Sequence, residues 1–103
     1  MARIEADGLL PSQRLRAAVA QGDVTQIHRG DEHAEEGDTF VVDGTTYELV
    51  EVRERLLGDI TDEDARAEGS PDLGAYKRRI EESHDTEWDD GSTAFLHDFE
   101  PVD

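Results

Sequence analysis

The sequence of 103 residues contains no cysteine. That excludes a disulfide framework, a thiol nucleophile and any thiolate-held zinc or iron–sulfur centre. Basic residues are scarce: ten Lys and Arg stand against 27 Asp and Glu, a formal net charge of −17 with a pI of about 4.3. Such a balance argues against the broad basic face with which a protein grips extended duplex DNA. No apolar run approaches the roughly 20 residues of a membrane-spanning helix. The opening Met1-Ala2-Arg3-Ile4-Glu5 lacks the apolar stretch of a secretory leader, so the expected location is the cytoplasm. Large aliphatic and aromatic residues are also few. Leu, Ile, Val and Phe total 22, close to the level of roughly 20% below which a highly charged chain stays unfolded. The length predicts one domain over 1–103. Its core should be thin, because a chain of this size buries only about 60–65% of its unfolded surface.

What is present is equally telling. Nine of the ten basic residues are Arg and one is Lys77, while the acids are spread along the whole chain. This composition fits a protein of halophilic, archaeal type, working in a high-salt cytoplasm. Self-repulsion at −17 weakens a small fold at low ionic strength; at molar salt the Debye length shrinks to about 3 Å and the repulsion is screened. Monovalent salt is therefore expected to be needed for stability.

Along the chain, residues 1–11 read as an irregular lead-in. Ser12 is a helix N-cap, Leu15, Ala18 and Val19 fall at helical spacing, and Gly22 sits where a helix ends, which predicts a helix over 13–21. A short strand over 25–29 and a polar loop over 30–38 follow. Residues 39–42 are β-rich and lead into Asp43-Gly44, a two-residue hairpin signal. The return strand from Thr45 to about Arg55 changes phase, with Tyr47 and Leu49 on one face and Val50 and Val52 on the other, so a β-bulge is expected to re-align them. Thr61-x-x-Asp64 is a capping-box pattern opening a helix that Gly69 closes. Ser70-Pro71-Asp72 starts the next, with Pro71 at its first position, a stripe of Leu73, Tyr76 and Ile80, and an end near His84. An acidic loop from Thr86 to Thr93 surrounds Trp88, and alternation of Phe95, His97 and Phe99 marks a last strand over 94–100. Helix, strands, two helices and a strand, with no βαβ repeat, predict an α+β fold: a small, mostly antiparallel barrel with three short helices packed around it.

Chemistry-bearing groups are few. The histidines at 28, 33, 84 and 97 have no helical ligand spacing, so no metal site is expected and the side chains are read as exposed or at the core edge. No nucleophile elbow and no phosphate-cradling glycine loop occurs, and no cofactor is implied. Arg29, Arg53 and Arg55 end or line strands, where guanidiniums can hold a phosphate or carboxylate or pair with the abundant acids. Glu68 stands out among the carboxylates because it falls at the end of a capped helix, where a turn can present it to a cleft.

The helix followed by Gly22-Asp23-Val24-Thr25-Gln26-Ile27-His28-Arg29, then Glu36-Gly37-Asp38-Thr39-Phe40-Val41-Val42, resembles the ASCH domain family, whose fold is a PUA-like β-barrel. The resemblance runs from about Ser12 to Val102, and the layout is similar to the small bacterial acetylcytidine amidohydrolases of that family. Gly22 and Arg29 keep the spacing of the family signature; Val24 and Ile27 stand where the signature has its lysine and its Glu or Thr. The resemblance implies a cleft for RNA, a nucleotide or a modified nucleoside. Arg29 would hold an anionic or carbonyl group and Glu68 a base edge, with Thr25, His28 and Tyr76 as further ligand-binding candidates. It also implies an alternative, a small hydrolase of amidohydrolase or ribonuclease type with Glu68 as general base. Without the lysine and threonine the enzyme is the less favoured reading. A protein-interaction adaptor with a degenerate cleft is the remaining alternative.

Overall fold

The structure, a computed structural model, describes residues 2–85 and 87–102, without the side chain of His84. Met1 of the lead-in and Thr86, the first residue of the expected acidic loop, lie outside the described residues. The elements in order are α1 (Ala6–Leu9), α2 (Gln13–Ala20), β1 (Gln26–Arg29), β2 (Thr39–Val42), β3 (Thr45–Leu56), a 3₁₀ turn (Leu57–Asp59), α3 (Asp62–Ala67), α4 (Leu73–His84) and β4 (Thr93–Val102). The strands form one antiparallel sheet in the order β1-β4-β3-β2. It curls into a half-barrel, and the whole is the expected α+β architecture.

Local chemistry accounts for the boundaries. Ser12 caps α2 by accepting the Leu15 amide at 2.9 Å. At the other end Gly22, at φ +81°, lets its amide reach the Val19 carbonyl while the Asp23 amide reaches that of Ala18. This is a Schellman ending, which requires a left-handed residue. Asp43 and Gly44 both have positive φ, the geometry of the tight hairpin that sets Phe40 against Tyr47 and Val42 against Thr45. The capping box at Thr61 and Asp64 is formed reciprocally.

The bulge in β3 falls between Leu49 and Glu51. Tyr47 and Leu49 are buried and Val52 packs against the same core. Val50, the extra residue, is left 42% exposed instead of joining them. Two further expectations need correction. The start of α4 is capped by Asp72, whose carboxylate accepts the Ala75 amide at 2.8 Å, so Pro71 precedes the helix and is not its first residue. The lead-in is also less irregular than its composition suggests. The Ile4 amide and the Thr39 carbonyl bond at 2.8 Å, as do the Thr39 amide and the Ala2 carbonyl. One helical turn then buries Leu9 and delivers Leu10 to the core, so α1 is a fourth helix beside the three expected.

The apolar residues separate into two clusters. The larger joins Leu9, Leu10, Val19 and Val24 to Phe40, Tyr47, Leu49 and Phe99. In it Phe40 stacks on Tyr47 (centroids 5.4 Å apart) and meets Phe99 edge-on at 5.2 Å. The smaller joins Ile60, Ala65 and Tyr76, with Leu73, Ile80 and Trp88 at its margin. The groups of chemical interest lie where the two clusters meet.

Candidate functional site

The end of α3 shapes this junction. Gly69, at φ +90°, closes the helix with a second Schellman ending: its amide bonds the Arg66 carbonyl and the Ser70 amide bonds that of Ala65. Glu68 is the C-cap, and the turn aims its side chain under β1 and α4, where it is 2% exposed. A methyl group at position 69 would lie 3.2 Å from Val24 Cγ2 on a backbone that disfavours L side chains. Gly69→Ala is expected to cost about 1–3 kcal/mol, read as a lower denaturation midpoint.

Four donors converge on the Glu68 carboxylate. Oε1 accepts the His28 amide at 3.1 Å and the Tyr76 hydroxyl at 2.9 Å; Oε2 accepts His28 Nδ1 at 2.6 Å and Gln26 Nε2 at 3.2 Å. The carboxylate can only accept, so Nδ1 of His28 carries the hydrogen. Burial first, and then the negative charge of Glu68, push the Tyr76 hydroxyl far above the ordinary phenol range, so it stays a donor. Gln26 Nε2 also reaches Asp64 Oδ1 at 3.1 Å. Asp64 Oδ2 accepts Arg55 Nη1 at 3.1 Å, and the same Nη1 faces His28 Nε2 at 3.5 Å. Glu68, His28, Arg55, Asp64 and Gln26 thus close a ring of side chains that joins β1, β3 and α3, with α4 tied in through Tyr76.

Asp64 illustrates the balance of forces in this ring. Burial raises its pKa, but hydrogen bonds from the Thr61 amide, Gln26 and Arg55, together with the Arg55 charge, outweigh it and bring the pKa to about 2. A carboxyl held below its unfolded value stabilises the fold above that value and loses the contribution as it is protonated. Stability should therefore fall between about pH 4 and pH 2, by up to about 2 kcal/mol from this group. Asp64→Asn should flatten that part of a pH series of urea denaturations.

The sequence-derived candidates divide. Arg29, His28, Glu68 and Tyr76 line one cavity of about 680 Å³, bounded by the start of α2, the end of β1, the α3–α4 turn and α4. Arg29 is partly engaged already: Nη1 donates to the carbonyls of Leu9 at 2.6 Å and Gly8 at 3.2 Å, serving the end of α1, where helix carbonyls lack partners. Thr25 is not brought there. It is exposed, and its backbone joins the Ala67 carbonyl to the Phe99 amide. The three strand arginines go to different partners, with Arg53 on Glu51 at 3.1 Å and Arg55 on Asp64. His28 and His97 are buried, not at the core edge. Nε2 of His97 accepts the His33 amide at 3.1 Å, its Nδ1 meets the Phe95 carbonyl at 3.0 Å, and burial holds its pKa below the usual value. Among the described residues no three His, Asp or Glu side chains are grouped to hold a metal ion, and no helix is long and apolar enough to cross a membrane.

Sequence reasoning missed Gln26, Asp64, Arg14 and Arg79. Arg79 Nη2 donates to the Glu68 carbonyl at 3.2 Å, and its guanidinium lies 5.3 Å from the Tyr76 ring centre. Its position three residues after Tyr76, on the same helix face, was the available signal. A second cavity of about 240 Å³ adjoins the first through His28, Arg29, Tyr76 and Ile80 and reaches Trp88. There Tyr76 meets the indole edge-on at 6.1 Å.

No family model matches the sequence, and no curated protein does either. Solved structures do match. The crystal structure of an ASCH domain from Lactobacillus crispatus JV V101 superposes with a TM-score of 0.67 over 97% of this chain and 78% of that one, at 15% identity. The fold is ASCH-like. A protein from Enterococcus faecalis V583 assigned to the family DUF984 superposes with a TM-score of 0.58 over 99% of this chain and 76% of that one, at 18% identity. Val24 and Ile27 are buried and are among the residues lining the larger cavity.

Proposed function

We propose that the larger cavity is a binding site for RNA, a nucleotide or a modified nucleoside, and that the protein acts as a PUA-like binding module. The observation that carries this reading is the saturated Glu68 carboxylate. With both oxygens committed to Tyr76, Gln26 and two donors of His28, it has no lone pair facing outward to take a proton from water. General-base hydrolysis needs such a group within reach of the substrate. The same network holds the wall rigid, which suits recognition by shape and stacking. Val24, Ile27 and Tyr76 are among the residues lining the cavity. Arg29 retains Nε and Nη2 as donors beyond those its Nη1 gives to backbone.

The experiment is a titration of short single-stranded RNA and free nucleosides in molar KCl, followed by Trp88 fluorescence. Trp88 is the sole tryptophan and lies against Tyr76, so the reading predicts a saturable change. Absence of any response, with circular dichroism reporting an intact fold, would sink it. Hydrolysis of acetylcytidine that disappears in Glu68→Gln would favour the hydrolase instead.

A further inference from the structure

We infer that the larger cavity is a phosphate subsite, so that its ligand is a nucleotide or an RNA segment presenting phosphate, not a free nucleoside; this rests on the binding-module reading above. The charges are segregated. Of 27 acidic residues in the chain, one lines this cavity, Glu68, and its carboxylate is turned onto its own four donors. Of ten basic residues, three line it: Arg14, Arg29 and Arg79. The molecule is strongly acidic, yet this concavity carries an excess of cations.

None of the three forms a salt bridge among the described residues, in a chain where carboxylates outnumber cations nearly threefold. Arg29 donates to the Gly8 and Leu9 carbonyls, and Arg79 to the Glu68 carbonyl. Arg14, at the start of α2, is exposed, and its side chain makes no hydrogen bond or salt bridge among the described residues. Guanidiniums arriving from three elements around a half-enclosed space suit a tetrahedral anion with several oxygens better than a single carboxylate. A concave wall also focuses the field of its own charges, so the attraction survives salt that erases longer-range effects. The smaller cavity has the opposite character, with Glu81, Glu87 and Asp89 among its lining residues and Arg29 as its one cation. It repels phosphate, which directs the phosphate to the arginine side of the shared wall.

The test is a calorimetric titration of the full chain in molar KCl with adenosine and cytidine, their 5′-monophosphates, and inorganic phosphate. The monophosphates are expected to bind at least about tenfold more tightly than the nucleosides, the scale of one charge-assisted hydrogen bond. Arg14→Gln should remove most of that preference without altering the melting temperature, since the Arg14 side chain has no hydrogen-bond or ion-pair partner among the described residues, and Arg14→Lys should keep part of it. Equal binding of nucleoside and monophosphate, or a preference untouched by Arg14→Gln, overturns the phosphate subsite and leaves the binding-module reading standing. Inorganic phosphate binding as tightly as the monophosphates keeps the subsite and removes the nucleotide reading. No binding by any of them, or by RNA, overturns both.

Discussion

Glu68→Leu should lower the unfolding free energy by about 3–5 kcal/mol, the cost of breaking a buried hydrogen-bonded charge network. That is a large fraction of the roughly 5–15 kcal/mol that holds a domain together. The reason lies in what stays behind. The Tyr76 hydroxyl, the His28 backbone N–H and its Nδ1–H all lose a buried acceptor, while the Gln26 amide keeps only Asp64. A buried donor without a partner costs about 1–3 kcal/mol. Tyr76→Phe removes one donor and leaves the acceptor with three, so it should cost only about 1 kcal/mol. Urea denaturation in molar KCl, comparing both variants with the parent, measures the difference. A Glu68→Leu variant within about 0.5 kcal/mol of the parent would mean that the ring is not what fixes the cavity wall.

Removing salt should also have a large effect. Lowering KCl from molar to tens of millimolar is expected to depress the melting temperature by on the order of 10 °C, equivalent to about 2 kcal/mol for a domain of this size. A charge of −17 sits on 103 residues. Among the described residues the arginine–carboxylate ion pairs are Arg53–Glu51 and Arg55–Asp64, so most of the acids repel one another without local compensation. The Debye length grows from about 3 Å at 1 M to about 30 Å at 0.01 M, which spreads that repulsion across the whole molecule. The acids already pressed together respond first. Burial, and then Glu51 beside it, raise the pKa of Asp98, so ionising it opposes folding, and more so when unscreened. Thermal melts followed by circular dichroism across a KCl series test this; a melting temperature independent of salt would contradict it.

The fold was legible at most boundaries that depend on chemistry within a few residues, the start of α4 being the exception. Ser12, Gly22, Asp43-Gly44, Thr61 with Asp64, and Gly69 each fix the backbone by a cap, a left-handed residue or a two-residue turn, and each was readable as such. The α+β layout followed from their order. Legibility failed where distant segments decide. Nothing local announces that Ala2 and Ile4 pair with Thr39; the start of α4 is a different case, a local cap, since Asp72 accepts the Ala75 amide three residues on. Val50 was read as part of a re-aligned core, but a bulge must leave its extra residue unpaired, and Val50 is that residue.

The site divides along the same line. Glu68 was noticeable because a glycine follows it at the end of a capped helix. Tyr76 belonged to an apolar stripe, and its hydroxyl bond to Glu68 is set by how α4 lies on α3. Arg29 was read as a ligand-holding group, and the structure places part of its guanidinium on the carbonyls of α1. The ring through Gln26, Asp64 and Arg55 joins residues up to 42 positions apart, a separation that no spacing rule covers. Arg14 escaped because, read alone, it is an ordinary charge on a helix, and Arg79 because its place three residues after Tyr76 carries meaning only once the Tyr76 ring is known to lie beside it.

The account turns on ligand occupying the space between the Glu68 network and α2. Amide chemical-shift mapping with a short single-stranded RNA in molar KCl measures this directly. The changes should concentrate at His28, Arg29, Gly69 and Arg79 and spare the shallow hollow between α1, α2 and the β2 hairpin, lined by Glu5, Gln13 and Asp43. Shifts centred on that hollow, or a saturating ligand that leaves His28 and Gly69 unmoved, would contradict it.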